Sequence, residues 1–273
     1  MKIVELSCVR ECIDMCRNAW NLGWHEYHAG NISYRLTDEE REAVRAAGGA
    51  PQEWVRLDPG VPSLAGKCFL VSASGSSFRI LGDAPEKYLG IIEVSDSGGA
   101  YRVIWGLEGG NPTSELPAHL MNHEIKVRDG SGRYRIIYHA HPTNLIALSF
   151  VLPLTDEAFT RELWEMEPEC AMTFPKGIGV LPWTTPGSLE SAIATGEKMK
   201  SYDIVLWAYH GAFCAGETFE QTFGVMHTVE KASEILVKVL SLGGKRQYPS
   251  RENLIDLKEP FRLDLPDRFL FEK

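Results

Sequence analysis

Residues 134–141 read Tyr-Arg-Ile-Ile-Tyr-His-Ala-His, a largely apolar run that ends in two histidines one residue apart. The run predicts a β-strand. Because successive side chains of a strand point to opposite faces, His139 and His141 share a face. Two imidazoles aimed the same way are an efficient start to a site for zinc or another divalent metal. The alternative is a pair of unrelated histidines, one of them packed in the core.

A third histidine favours the metal site. His210 ends another apolar strand, predicted at residues 204–210, and precedes Gly211. Strand ends are where α/β enzymes gather functional groups. Three histidines would leave zinc a fourth position for water or substrate, which is the pattern of catalytic zinc sites. His25, His28 and His227 stand apart from this set, and we expect His227 to be packed or solvated.

One acidic residue is a candidate for proton transfer. Glu115 follows Thr113-Ser114, a pair that suits a helix N-cap, and we expect it in the first turn of a helix that runs to about residue 126. There the helix dipole would stabilise its anion, and a plain capping role is the alternative. His119 and His123 share its helix face; His119 could support the site, whereas His123 is better explained as packed or solvated.

Three short segments combine hydroxyl or amide donors with a turn, namely Gly30-Asn31, Ser74-Gly75 and Thr113-Ser114. Each could hold a phosphate, and the last also precedes a helix N-terminus. Plain turns look similar, so each segment alone is a weak signal. No GxGxxG motif follows a strand and opens a helix, and no GxxxxGK[ST] motif occurs. These absences argue against a dinucleotide cofactor and against the use of nucleoside triphosphates.

The composition is that of a globular protein with an acidic balance. The 273 residues carry 28 Lys and Arg against 37 Asp and Glu, a formal net charge of −9. Such a chain repels nucleic acid and anionic membranes, so we expect neither as a partner. The six cysteines contain no CxxC pair and indicate reduced thiols in a cytoplasm. Charges interrupt the N-terminal apolar stretches and the longest apolar run has ten residues, so we expect neither a signal peptide nor a membrane span.

Helical and strand patterns alternate without a strict βαβ order, which favours a mixed or antiparallel sheet covered by helices. We expect one domain over residues 1–273, with excursions from its core at about 38–66 and 80–111. Predicted helices cover residues 3–22, 115–126, 144–151, 155–165, 187–200 and 218–242. Predicted strands cover residues 32–36 (alternating), 68–72, 88–94, 101–105, 134–141 and 204–210, with short strands around Gly177 in 170–181.

The motifs occur together in one known family. Gly30-Asn31, Ser74-Gly75, Thr113-Ser114-Glu115, His139-x-His141 and His210-Gly211 follow one another in the order of the class II aldolase/adducin-head family. The stretches 104–107, 112–119, 143–148 and 222–224 also resemble that family, and the resemblance extends over residues 10–255. It implies an α/β class fold of three α/β/α layers with a central, mainly antiparallel sheet.

The resemblance also implies roles for individual residues. One Zn²⁺ per chain would be held by His139, His141 and His210, with Glu115 as the acid/base carboxylate. A homotetramer would form with active sites at subunit interfaces, where Glu169 would reach a neighbouring subunit's site. The positions that match the family's phosphate loops are Gly30, Asn31, Ser74, Gly75, Thr113 and Ser114. His28 and Ser76 depart from the pattern beside these loops, so phosphate affinity could differ.

The activity that the resemblance implies is zinc-dependent retro-aldol cleavage of a small sugar phosphate. We favour L-rhamnulose 1-phosphate, which would yield dihydroxyacetone phosphate and L-lactaldehyde. Cleavage of L-fuculose 1-phosphate and 4-epimerisation of a pentulose 5-phosphate are alternatives that would use the same three histidines. A non-catalytic, adducin-like binding head is a further alternative, but it would lack the metal ligands.

Overall fold

The computed structural model describes residues 2–48, 51–129 and 132–270 of the chain. In these ranges nine strands form one sheet with the order β2-β5-β4-β3-β1-β6-β9-β8-β7. Neighbouring strands are antiparallel except for the parallel pair β7–β8. The strands are β1 Asn31–Arg35, β2 Val55–Arg56, β3 Cys68–Ser72, β4 Leu89–Val94, β5 Ala100–Gly106, β6 Ile136–Ala140, β7 Gly179–Leu181, β8 Ile204–Trp207 and β9 Gly211–Gly216.

Two groups of helices pack on the sheet. One contains α4 and α8, and the other gathers α1, α5, α6 and α7 around the long helix α9. This is the predicted three-layer arrangement with a mainly antiparallel sheet. The helices are α1 Ser7–Asn21, α2 Asp38–Ala47, α3 Pro85–Tyr88, α4 Leu116–Asp129, α5 Thr143–Leu148, α6 Asp156–Trp164, α7 Pro168–Thr173, α8 Leu189–Met199, α9 Phe219–Ser241, α10 Arg251–Ile255 and α11 Lys258–Phe261. Among the helices described, none is both long and apolar enough to cross a membrane.

Local sequence explains most of the elements. The N-cap of α9 is Thr218, whose side chain accepts a hydrogen bond from the Gln221 backbone N–H. The stripe Cys8, Cys12 and Cys16 is buried on α1, and all six cysteines are free and buried. The hairpin β4–β5 and strand β3 also lie where the sequence predicts them.

Strand β1 departs from its predicted alternating pattern. All five of its residues are buried, because β1 pairs with β3 on one side and β6 on the other and helix α4 also packs on it. The polar residues Asn31 and Ser33 are therefore inside the protein. Buried polar groups require hydrogen-bond partners, and those partners are side chains of α4 and of Glu115, which directly precedes it.

Three other predictions are wrong in detail. Residues 38–66 do not simply leave the core, since they supply α2, the edge strand β2 and the buried side chains of Val61 and Leu64. Residues 168–173 form helix α7 instead of a strand, because Pro168 occupies its first turn, where proline is favoured. Strand β8 ends at Trp207, and the unpredicted strand β9 begins at Gly211, so His210 lies in the turn between them.

Candidate active site

The three histidines of the predicted metal site meet at one point. The ring centroid of His139 lies 5.1 Å from that of His141 and 5.0 Å from that of His210. The ring centroids of His141 and His210 are 4.8 Å apart. One ligand atom from each residue can be chosen so that all lie within 4.8 Å of one another. The spacing of the predicted set therefore suits a single metal ion.

Pairing of β6 with β9 brings these residues together. In the register of the two strands, His139 lies opposite Phe213 and Ala140 opposite Ala212. Gly211 permits the close approach, since a Cβ there would lie 2.4 Å from the Ala140 carbonyl oxygen and 2.8 Å from His141 Cδ2. A tight β8–β9 turn thus places His210 directly beside the end of β6.

The turn before His210 has its own support. Tyr209 adopts a left-handed conformation with φ 66°, which is uncommon for a residue with a side chain. Its backbone N–H donates a 2.9 Å hydrogen bond to Ser149 Oγ, and that hydroxyl donates to the Ile146 carbonyl at 2.6 Å. The end of α5 therefore fixes the turn that presents His210.

The ring nitrogens are arranged as metal ligands require. His139 Nδ1 donates to the Ala212 carbonyl oxygen at 3.1 Å, and His141 Nδ1 donates to Glu26 Oε1 at 2.7 Å. These bonds leave Nε2 of both rings as acceptors, and neither buried Nε2 atom has a hydrogen-bond partner among the described residues. His210 Nδ1 is likewise buried without one. An unpaired buried nitrogen is costly, and a bound divalent cation would satisfy it.

The surroundings of His139 and His210 favour the neutral form of these two rings. Burial, together with His141 and His210, holds the pKa of His139 well below its usual range. Burial and the neighbouring His141 lower the pKa of His210 to about 4. A neutral imidazole has a free lone pair, so both rings are ready to bind a metal near neutral pH.

Glu115 lies beside this cluster. Its Oε2 is 3.9 Å from His139 Nε2 and accepts a 3.0 Å hydrogen bond from Asn31 Nδ2. Burial raises the pKa of the Glu115 carboxyl, and the Asn31 hydrogen bond opposes that effect only in part. The expected stabilisation of the anion by the helix dipole is therefore outweighed. Glu115 also precedes α4, which begins at Leu116, instead of lying within its first turn.

The predicted phosphate segments line the same cavity as the histidines. The cavity has a volume of about 140 Å³. A bridge between Ala73 and Pro112 joins two of the segments, with Ser74 N–H donating to the Asn111 carbonyl at 2.9 Å. The lining residues are His28, Ala29, Gly30, Asn31, Ala73, Ser74, Gly75, Thr113, Ser114, Glu115, His139, His141 and His210.

Backbone geometry explains Gly30 in its loop. Its φ is 79°, and a Cβ at this position would lie 2.1 Å from Nδ1 of the buried His25 ring. His25 contacts the Ala29 carbonyl through Nδ1 at 3.0 Å and the Tyr138 hydroxyl through Nε2 at 2.6 Å. Only glycine fits between this ring and the cavity, so His25 determines the path of the Gly30-Asn31 loop.

The structure separates one predicted residue from the rest. Glu169 is exposed on α7 and does not line the cavity of its own chain. Of the two departures from the family pattern, His28 is exposed at the cavity rim with its ring centroid 3.7 Å from that of Tyr27. Ser76 is buried and is not a lining residue.

Several residues at the site were not identified from the sequence. Glu26 contacts His141, Ser149 supports the turn at Tyr209, and Ser33 lies behind Asn31. Each acts through a partner more than 50 positions away in the chain, so no local pattern marks it. The signal that was available is the cluster of polar residues around the Gly30-Asn31 motif.

Comparison with known proteins identifies the family. Residues 10–237 match the family described as Class II Aldolase and Adducin N-terminal domain, and the chain belongs to that family. A protein named Rhamnulose-1-phosphate aldolase from Klebsiella pneumoniae subsp. pneumoniae is 41% identical over 262 residues, which span 96% of this chain and 95% of the relative. One of the same name from Yersinia pestis (strain Pestoides F) is 44% identical over 254 residues, 93% of each chain.

Solved structures agree with this assignment. A sugar-phosphate aldolase from Thermotoga maritima is similar, with a TM-score of 0.73 and 31% identity over 86% of this chain and 96% of that one. L-fuculose-1-phosphate aldolase from Thermus thermophilus has a TM-score of 0.54 and 22% identity, covering 87% of this chain and 97% of that one. The second likeness concerns the fold alone.

Proposed function

We propose that this chain catalyses zinc-dependent retro-aldol cleavage of L-rhamnulose 1-phosphate to dihydroxyacetone phosphate and L-lactaldehyde. The observation that carries the proposal is the convergence of three histidines, with unpaired buried ring nitrogens, beside the buried carboxyl of Glu115. The sugar is proposed from the two Rhamnulose-1-phosphate aldolase relatives described above.

His139, His141 and His210 would hold one zinc ion per chain. When bound, a zinc ion acts as a Lewis acid that stabilises negative charge developing on ketose oxygen atoms as a carbon–carbon bond breaks. The Nδ1–H bonds of His139 and His141 keep both rings oriented with Nε2 toward the cavity. Three protein ligands leave a position open for the substrate.

Glu115 would carry the proton. In the cleavage direction the C3–C4 bond breaks, its electron pair remains with the C1–C3 fragment, and a solvent water takes up the C4 hydroxyl proton as C4=O forms. Protonated Glu115 then delivers a proton to C3 and completes dihydroxyacetone phosphate. In the synthetic direction the same carboxylate removes that proton. The raised pKa of the Glu115 carboxyl supports this role because it favours the protonated form.

The Gly30-Asn31, Ser74-Gly75 and Thr113-Ser114 segments would hold the phosphate. They line one cavity and offer backbone N–H, hydroxyl and amide donors without a lysine among the lining residues. Several charge-assisted hydrogen bonds from such donors suit a phosphate dianion. In a chain with a net charge of −9, this local set of donors would have to attract the phosphate without help from a long-range field.

We also propose that the chain forms a homotetramer in which the active site is completed by a second copy. A cavity of about 140 Å³ is small beside the ~300–1,000 Å³ typical of ligand sites. Next to His210, the rings of Tyr209 and Phe150 are in contact and exposed, with Val151 alongside. The exposed Glu169 would contribute to a neighbouring subunit's site. Residues 1–273 would act as one domain, and the free cysteines support a cytoplasmic location.

A comparison of substrates tests the proposal. Purified protein is offered L-rhamnulose 1-phosphate, L-fuculose 1-phosphate and a pentulose 5-phosphate, each with and without a chelator. We expect dihydroxyacetone phosphate to be released fastest from rhamnulose 1-phosphate, with loss of the activity in chelator and recovery with Zn²⁺. Faster turnover of either competitor would assign the chain to that activity instead, and no turnover of any sugar would favour a binding head.

A further inference from the structure

A chain of polar side chains leads from Glu115 into the protein interior. Asn31 Nδ2 donates to Glu115 Oε2 at 3.0 Å, and Asn31 Oδ1 contacts His119 Nε2. His119 Nδ1 lies 2.7 Å from Ser33 Oγ, which in turn lies 2.9 Å from His123 Nε2. All five residues are at most 8% exposed. This series of hydrogen-bonded side chains therefore links β1 to α4 directly beneath the cavity.

In this series of hydrogen-bonded side chains, the donors and acceptors can be assigned so that every donor points toward Glu115. The ionised Glu115 can only accept, so Asn31 must point its NH₂ group at Glu115 and its carbonyl oxygen at His119. His119 must then carry its proton on Nε2 and accept at Nδ1 from the Ser33 hydroxyl. The Ser33 oxygen in turn accepts from His123, whose proton is also on Nε2.

The opposite direction is less favourable. It would place a proton on His123 Nδ1, a buried atom with no hydrogen-bond partner in the described ranges. Orphaned buried N–H donors are rare in proteins, and an unpaired acceptor is better tolerated. Burial also lowers the pKa of both imidazoles, that of His119 to about 3, so each ring remains neutral with a single proton to place.

We propose that His119 is a positioning residue that, supported by Ser33 and His123, holds the Asn31 amide with its NH₂ group toward Glu115. If the Asn31 amide were flipped, its oxygen would face the Glu115 carboxylate and repel it. The role would keep the acid/base carboxyl and the Gly30-Asn31 loop in one arrangement during turnover. This inference rests on the proposed function, because it assumes that Glu115 transfers the proton.

Kinetics of paired substitutions test the role. His119→Phe frees the Asn31 amide to flip and lose its hydrogen bond to the charged Glu115. The variant should therefore lower kcat about 10- to 100-fold, the effect of losing one such bond, while metal content stays at the wild-type value. His119→Gln offers an amide N–H to Asn31 Oδ1 and should recover most of the loss, whereas the shorter His119→Asn should not. The exposed His227→Gln is the matched control. Wild-type kcat in His119→Phe, or no advantage of Gln over Phe, would overturn the proposal.

A measurement without substrate separates this inference from the proposed function. In the ¹⁵N NMR spectrum of histidine-labelled protein, signals assigned with His119→Gln and His123→Gln should show both rings as neutral Nε2–H tautomers. Ser33→Ala removes both the donor to His119 Nδ1 and the acceptor of the His123 Nε2–H group, so it should weaken the tautomer preference of both rings. An Nδ1–H tautomer at either ring of the wild-type protein would refute the direction of the chain. An inactive wild-type protein with the expected tautomers would instead contradict only the proposed function.

Discussion

Glu115 is subject to two opposing influences. Burial favours its neutral form, whereas the Asn31 amide and His141 favour the anion. A carboxyl group poised in this way can hold a proton and release it within one catalytic cycle. The three histidines beside it supply no proton to the reaction if a metal occupies their ring nitrogens. In the proposed mechanism, proton transfer at C3 therefore depends on Glu115.

Replacement of Glu115 by Gln tests that dependence. The amide keeps the size of the carboxyl but cannot transfer the proton, so we expect activity to fall by ~10²–10⁴-fold with metal content unchanged. Exchange of the C3 proton of dihydroxyacetone phosphate with solvent, followed by NMR, measures the step directly. Exchange at the wild-type rate in Glu115→Gln would mean that another residue is the base.

The phosphate loops give a second prediction for single residues. Ser74→Ala removes a hydroxyl donor from the cavity lining and should raise KM for the phosphorylated ketose by about tenfold, the effect of one charge-assisted hydrogen bond. The slow reaction of unphosphorylated rhamnulose should hardly change. Equal losses on both sugars would show that Ser74 only maintains the loop.

The site residues divide according to how the sequence encodes them. His139 and His141 are predictable because strand periodicity alone puts them on one face. Ser33 was missed because the packing of α4 on β1 brings its partners to it, and Glu26 was missed because its partner His141 follows β6, far away in the chain. Local patterns predict the ligands, whereas residues that orient the ligands depend on tertiary contacts.

At the level of elements, the junction of β6 and β9 forms the candidate metal centre. Strand β9 was not predicted because most of its residues are glycine or alanine, namely Gly211, Ala212, Ala215 and Gly216. Strands are typically rich in β-branched and aromatic residues instead. Small residues are required there since the strand packs closely on β6 and α9. Tertiary packing thus overrides local propensity at the position that presents His210.

A pair of glycine substitutions tests this account of the junction. Gly211→Ala would force a Cβ to within 2.4 Å of the Ala140 carbonyl oxygen, and we expect it to lower the free energy of unfolding by ~1–3 kcal/mol and to weaken metal binding. Gly224→Ala, in the interior of α9 with open space around it, should instead stabilise the protein by ~1 kcal/mol. Urea unfolding of both variants gives the values. Equal stability of Gly211→Ala and the wild type would contradict the close approach of β6 and β9.

For the molecule as a whole, one sheet unites strands from both ends of the chain around the active site. Strands β1, β6 and β9 are neighbours near its centre, and every residue of these strands, which carry or support the site, is buried. The cavity opens beside an exposed aromatic pair formed by Phe150 and Tyr209. Exposed apolar patches of this kind mark interaction surfaces.

Substitution on that surface tests the proposed assembly. Phe150→Asp places a charge where a second copy would pack, and we expect sedimentation to show a lower mass together with reduced activity. Leu242→Asp is the matched control, because Leu242 is also exposed but lies at the far end of α9. An unchanged mass in Phe150→Asp would show that the patch is not a subunit contact.

Stepwise addition of Zn²⁺ to metal-free protein, with release of dihydroxyacetone phosphate from L-rhamnulose 1-phosphate measured at each step, tests the central claim most directly. The account predicts no activity without metal, a linear rise, and a plateau at one zinc per chain. In His210→Ala the same additions should restore little activity, because one of the three ligands is missing. Full activity in the metal-free protein, or a plateau unaffected by His210→Ala, would contradict the account.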